Sequence, residues 1–308
     1  MANVTDSVFR RMIAKYGKPD VTWTEFVSAD GLVSAGQKRL LPDLKFSEKE
    51  RPIVAQLFTG HPDVMMEAAK LVARLKFDGL DINMGCPDRA VERQGGGAAM
   101  IKEPKLALAV IKAAREGVGP KIPVSVKTRI GYYKIDLEWI GFLLGLNLPA
   151  LTIHLRTRKE MSDVPAHWEL MPEIIRLRDE IQADLKPSER TLIIGNGDVE
   201  NVEKGREFAA KYGCDGIMIG RGIFGKPWLF SGDTSRSPAV RLKILLEHSK
   251  LFEKTYCITK TGQKPIKNFE VMKKHFKSYV SGWDGAKELR AKLMECESAA
   301  EVEAVINA

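Results

Sequence analysis

Gly79-Leu80-Asp81-Ile82-Asn83-Met84-Gly85-Cys86-Pro87 reads as a short β-strand of the fully buried type that runs into a turn. The turn carries one cysteine, with an amide side chain, Asn83, three residues before it. A cysteine at the C-terminal end of a strand, between Gly and Pro, is placed to be presented rather than packed. A triple glycine, Gly95-Gly96-Gly97, follows shortly after. Working outward, short β-branched or apolar runs recur at 21–29, 53–60, 124–130, 150–155, 191–195 and 216–220. Between them, 63–77, 105–115, 172–185 and 199–212 carry apolar residues at helical spacing, with Asp198 placed as the N-cap of the last.

Seven strands, most followed by a helix, predict a parallel sheet. Their number and the chain length favour a (β/α)8 TIM barrel over an open doubly wound sheet. An eighth strand is expected to come first. The chain as written opens Met1-Ala2-Asn3-Val4-Thr5-Asp6 and passes directly into helix-like 7–16, so the expected barrel lacks its first strand. After the barrel, 241–256, 269–280, 286–296 and the Ala-rich C-terminus read as helices. The expected division is a catalytic barrel over 1–236 and a small helical domain over 237–308.

The bulk numbers are those of an ordinary globular protein, 44% hydrophobic and 29% charged over 308 residues, enough for one large domain and an appendage. No apolar run approaches the roughly 18 residues of a membrane span, and the N-terminus lacks the apolar core of a signal peptide. Cys86, Cys214, Cys257 and Cys296 are scattered with no CxxC pair, which predicts neither a metal site nor a disulfide framework and fits a reducing cytoplasm. Net charge is +8, and 258–292 alone holds nine basic residues against three acids. Lys273, Lys274 and Lys277 lie at its centre. Such a segment is either a solvated helical surface or a footprint for a polyanion.

In a barrel of this type, polar residues at the C-terminal ends of strands face the active site. Those ends supply Gln56, Asn83 with Cys86, Lys127 with Arg129, His154 with Arg156, Asn196-Gly197-Asp198, and Gly220-Arg221. Each has a plainer reading: a strand cap for Gln56, a snorkelling lysine for Lys127, a packed histidine for His154, turn glycines for Gly197 and Gly220. Six strand ends of this kind together are harder to explain that way. Gly220–Gly225 also fits GxGxxG, but it follows the last strand and no acidic residue ends a strand about 20 residues on, so a Rossmann reading is rejected. Loops after the last two strands of a barrel commonly hold a phosphate, and one phosphate site fits a mononucleotide cofactor.

Asn83–Pro87, Gly95–Ala98, Lys127–Gly131, His154–Thr157, Gly195–Asp198 and Gly220–Trp228, in this order and spacing, resemble the dihydrouridine synthases, flavin enzymes that reduce uridine in tRNA. Met1–Asp6 is similar to the family's first strand-to-helix turn, with Met1 in place of the motif methionine. The resemblance implies FMN across the barrel mouth. Met1, Ala2, Gln56, Lys127 and His154 would contact the ring and ribityl regions, and Asn196, Gly197, Asp198, Gly220 and Arg221 would hold the phosphate. It implies NADPH as reductant, Cys86 as the acid that protonates C5, and Asn83, Arg129 and Arg156 on the substrate side. It also implies RNA contacts from Lys273, Lys274 and Lys277, and a cytoplasmic monomer. The chain departs from the family at Leu155, where glycine is usual, and at Val164-Pro165, where many members carry Tyr-Gly. Two rival readings are an FMN barrel acting on a free pyrimidine, as a dihydroorotate dehydrogenase does, and a non-catalytic RNA-binding protein.

Overall fold

A computed structural model describes residues 4–232, 235–258 and 264–308. In chain order the elements are α1 (Ser7–Tyr16), β1 (Thr22–Ser28), α2 (Ala29–Leu32), α3 (Gln37–Leu40), β2 (Ile53–Phe58), α4 (Pro62–Arg74), β3 (Gly79–Met84), α5 (Arg89–Arg93), α6 (Pro104–Val118), β4 (Val124–Arg129), α7 (Leu137–Leu144), β5 (Ala150–His154), α8 (Met171–Ile181), β6 (Leu192–Asn196), α9 (Val202–Tyr212) and β7 (Gly216–Met218). Four helices follow: α10 (Pro238–Phe252), α11 (Lys273–Tyr279), α12 (Ala286–Glu295) and α13 (Ala299–Asn307). Among the described residues, seven strands pair in strict chain order, β1 to β7. The ladders from β2 to β7 are all parallel, as βα crossovers require. This is the expected TIM-barrel sheet with seven strands.

The chain divides into two compact units. The barrel unit comprises Phe26–Leu41 and Pro52–Gly220. One face of its sheet is apolar: Ile53, Ala55, Leu57, Leu80, Ile82, Met84, Val126, Leu151, Ile153 and Ile193 are all buried. This face packs under amphipathic helices, with α4 and α6 lying against each other and Ala68, Ala69, Val72, Ala107 and Ala114 on them buried. Helix starts are fixed by side-chain caps, Asp136 accepting from Trp139 N–H on α7 at 3.0 Å and Asn201 from Lys204 N–H on α9 at 2.7 Å. The expected cap on the last helix, Asp198, is therefore displaced. Asp198 instead has φ +53, and its carboxylate turns to Arg156, so α9 begins three residues later than the apolar spacing predicts.

The helical unit gathers the N-terminal stretch to Glu25, Pro42–Arg51 and Arg221–Ala308. Its interior is aromatic. Phe9 of α1 stacks on His248 at 5.3 Å and lies 4.8 Å from His275, and Phe252, Phe276 and Tyr279 complete the core. Arg10, also on α1, is 1% exposed. Its guanidinium donates to Glu50 Oε2 at 2.9 Å, Thr5 O at 2.7 Å and Lys45 O at 2.5 Å. Glu50, fully buried, also accepts from Ser47 N–H at 2.7 Å. A buried ion pair with every guanidinium nitrogen engaged is costly to break from one side, because the surviving charge stays buried. Arg10→Met is expected to lower unfolding free energy by about 3–5 kcal/mol. Urea unfolding of the two proteins measures it, and a loss below about 1 kcal/mol would contradict the assignment.

Candidate active site

Residues paired across a parallel ladder present side chains to the same face. The registers therefore sort the polar residues of the sheet's other face into three layers. Gln56, Asp81 and Ser125 form the lowest, Asn83, Lys127 and Thr152 the next, and Arg129, His154 and Asn196 the layer nearest the strand ends. Barrel interiors are usually filled with branched apolar side chains, so a face this polar marks a site.

The lowest layer anchors the rest. Asp81 is fully buried, and its carboxylate accepts from Ser125 Oγ at 2.6 Å and Gln56 Nε2 at 2.7 Å. Burial pushes its pKa up to about 6, against the two donors and the charge of Lys127. Gln56 Oε1 in turn accepts from Asn83 Nδ2 at 3.1 Å. Asn83 Oδ1 then accepts the N–H groups of Gly85 at 3.1 Å and Cys86 at 2.9 Å. A continuous run of hydrogen bonds thus leads from a buried carboxylate to the backbone of the cysteine. The alternation of Asp81 and Asn83 in an otherwise apolar strand is the sequence signal for this anchor, and neither Asp81 nor Ser125 is among the site residues that the sequence reading singles out.

Cys86 is half-buried. Burial is the main cause that raises its thiol pKa above the ordinary value, so the group is a protonated thiol at neutral pH. The triple glycine closes over it. Ala98 N–H donates to Cys86 O at 2.9 Å. Gly97 has φ +58, and a Cβ there would stand 2.6 Å from the same oxygen. Only glycine lets the loop come this close.

Lys127 Nζ donates to Asn196 Oδ1 at 3.2 Å, while Asn196 Nδ2 donates to Met218 O at 2.8 Å. Burial first, then the charge of Arg129, pulls the Lys127 pKa down to about 8. His154 Nε2 lies 3.5 Å from Arg156 Nη1. Gly197, at φ +132, packs under Ala166, and a Cβ added to Gly220 would meet only Asn196 Nδ2 at 4.0 Å. Arg129 is 7% exposed and donates to Gly85 O at 2.8 Å, Thr157 O at 2.9 Å and Met161 O at 3.2 Å. Arg156 is 3% exposed, ion-paired to Asp198 at 2.5 Å, and donates to Val164 O. Asp198 Oδ2 also accepts from Ala166 N–H at 2.8 Å. Both arginines thus brace the loops around the mouth. In the helical unit, the exposed Arg221 opens a single 3-10 turn, Arg221–Ile223. There too, Lys273, Lys274 and Lys277 of α11 line one groove of about 360 Å³ with Lys287 and Arg290 of α12. Met1 and Ala2 lie outside the described residues.

A protonated thiol, a lysine, a histidine and the amides of Gln56, Asn83 and Asn196 at the C-terminal mouth of a parallel barrel are a donor set suited to an oxidoreductase with an electron-accepting ring cofactor. The chain belongs to the dihydrouridine synthase family, whose model matches residues 1–308. It is 40% identical over 311 residues to a probable tRNA-dihydrouridine synthase of Staphylococcus aureus (strain COL), covering all of this chain and 90% of that one. It is equally similar, at 40%, to a probable tRNA-dihydrouridine synthase 2 of Bacillus subtilis (strain 168), covering 91% of it. Among solved structures, morphinone reductase shares the fold, with TM-score 0.53 and 13% identity over 77% of this chain and 84% of that one. A 2-naphthoyl-CoA reductase complex also shares it, with TM-score 0.52 and 11% identity over 75% of this chain and 46% of that one. The family uses a flavin. The donor set fits one: Gln56, Lys127, His154 and Asn196 offer hydrogen bonds and positive charge, and the open space at Gly220 leaves room for a phosphate.

The Asp81 anchor has a measurable signature. Its folded pKa lies above the unfolded value of 3.8, so its stabilising share is complete below about pH 4 and is lost as pH rises through about 6. A carboxyl that moves from 3.8 to about 6 on folding changes stability by on the order of 2–3 kcal/mol across that range. Asp81→Asn is expected to remove that share of the decline, and urea unfolding at about pH 4 and about pH 7 reads it. An unchanged pH dependence would show that Asp81 titrates normally.

Proposed function

We propose that this protein reduces specific uridines of tRNA to 5,6-dihydrouridine, with FMN as its flavin and NADPH as its reductant, as a cytoplasmic monomer. The names of its relatives supply the substrate class. The observation that carries the reading is Cys86, a thiol kept protonated by burial at the end of β3. Saturating the uracil C5–C6 bond requires a hydride at one carbon and a proton at the other. A bound flavin would supply the hydride, to C6. Cys86 Sγ holds the proton for C5, and its high pKa suits an acid rather than a nucleophile.

The other residues set the geometry. Asn83 fixes the Cys86 turn with its oxygen and has one amide hydrogen left for the uracil edge. Lys127 places a cation beside the ring, where negative charge develops on reduction, and Asn196 orients its ammonium. Gln56 faces the ring from the lowest layer and His154 from the layer nearest the strand ends. Gly197 and Gly220 receive the phosphate, while Asp198 acts through its pairing with Arg156. Arg129 and Arg156 hold the substrate-side wall. The target base must leave its stack to reach this face.

Cys86→Ala is expected to slow dihydrouridine formation by about 10²–10⁴-fold with flavin content unchanged. Normal turnover by the variant would assign the proton to another group. The cationic groove supports an RNA-binding role for the C-terminal domain, 237–308. Binding there should release counterions, so affinity should fall by roughly 0.9 log units per contact per log unit of salt. Replacing Lys273, Lys274 and Lys277 together with Gln should lower that slope by up to about three contacts' worth. A slope that stays the same would remove these lysines from the RNA interface. No described helix is long and apolar enough to cross a membrane, and all four cysteines are free thiols.

A further inference from the structure

The three arginines nearest the mouth are all occupied within the chain. Arg129 and Arg156 brace loops, and Arg158 is ion-paired to Glu92 at 2.5 Å. The residues that do face outward there are two tyrosines in the loop after β4. Tyr133 is 69% exposed, the most exposed large hydrophobic side chain among the described residues, and its ring meets Tyr132 edge-on at 4.6 Å.

The loop that carries them is tightly closed. Gly131 has φ +155, and a Cβ on it would collide with Lys134 O at 1.9 Å. Asp136 N–H donates to Ile130 O at 2.8 Å. The neighbouring loop is tied on by Arg158 N–H to Gly131 O at 2.9 Å and Lys159 N–H to Tyr132 O at 2.8 Å. Tyr132 is gripped on its ring by Lys102 at 4.4 Å and Arg158 at 5.6 Å, and its hydroxyl bonds Glu92. Arg158 Nη2 also donates to Pro87 O at 3.3 Å, so the same cluster holds the segment next to Cys86.

A rigid, exposed aromatic ring loses little conformational entropy on binding and is a natural anchor for a flat partner. The charges around it choose the partner. Lys102, Lys134 and Lys159 are exposed. Three of the acids there are engaged, Glu92 by Arg158, Glu160 by His167 at 3.1 Å, and Asp136 as the cap of α7. An aromatic face ringed by exposed lysines suits a nucleobase flanked by phosphates.

We propose that Tyr133, held out by the clamped Tyr132, is a stacking platform for a base of the RNA that flanks the target uridine. This rests on the tRNA reading given above. The ring positions the nucleotide next to the one that enters the site, and the adjoining lysines take its phosphates.

The test compares tRNA binding and turnover by the flavin-loaded wild type, Tyr133→Ala, Tyr133→Phe and the triple lysine-to-Gln variant at several salt concentrations. Loss of one stacked base is expected to raise Kd or KM for tRNA about 5- to 150-fold in Tyr133→Ala. The salt slope should stay as in the wild type, because stacking releases no counterions, and Tyr133→Phe should bind normally. Wild-type affinity in Tyr133→Ala would overturn the inference and leave the tRNA reading intact. Equal losses in Ala and Phe, or a reduced salt slope in Tyr133→Ala, would replace stacking with a hydroxyl or phosphate contact and overturn it too. A wild type that reduces no uridine in tRNA would remove the underlying reading and the inference with it.

Discussion

A carboxylate sealed between three strands governs the barrel unit's chemistry. Asp81 has two donors, Ser125 and Gln56, and Gln56 can satisfy it only by turning its own oxygen toward Asn83. That fixes which end of Asn83 faces Cys86, and so the turn that aims the thiol. Amide groups have two chemically different ends, so a run of them transmits orientation as well as position. The group at the head of the run is the one with no solvent to relax into.

The mouth is built on the same economy of partners. Each arginine that a sequence reading assigns to substrate or RNA is matched to carbonyls or a carboxylate of its own chain. Arg156 and Asp198 together pin the loop through Val164 and Ala166. Trp168 closes the same loop, its indole N–H donating to Gly197 O at 2.9 Å and its ring filling the space that a side chain at Gly195 would take.

Much of this is legible in the sequence alone. The β-branched runs mark all seven strands to within a residue or two, because a strand buried on one face and lined with function on the other leaves little freedom of composition. The polar residues at strand ends are legible for the same reason. What stays hidden are pairings over long separations. Nothing in the local spacing says that Asp198 leaves its helix to meet Arg156, or that α1 joins the helical unit. The short helix Leu137–Leu144 is also hidden, because its apolar residues are nearly continuous and give no helical period.

The helical unit brings Tyr16 of α1 to Glu247 of α10, residues 231 apart, through a hydrogen bond of 2.5 Å. During synthesis α1 emerges before the barrel strands and must wait for nearly the whole barrel unit before its partners on α10 and α11 exist, whereas Glu50, the partner of Arg10, follows soon after it. The barrel unit lies almost wholly between them in sequence. Its neighbouring strands pair in order, so it can assemble progressively as it is made, while the helical unit closes last and closes a very long loop. Phe9, whose ring partners His248 and His275 come late, is thus the feature a nascent chain leaves exposed longest, which makes α1 a segment dependent on folding helpers.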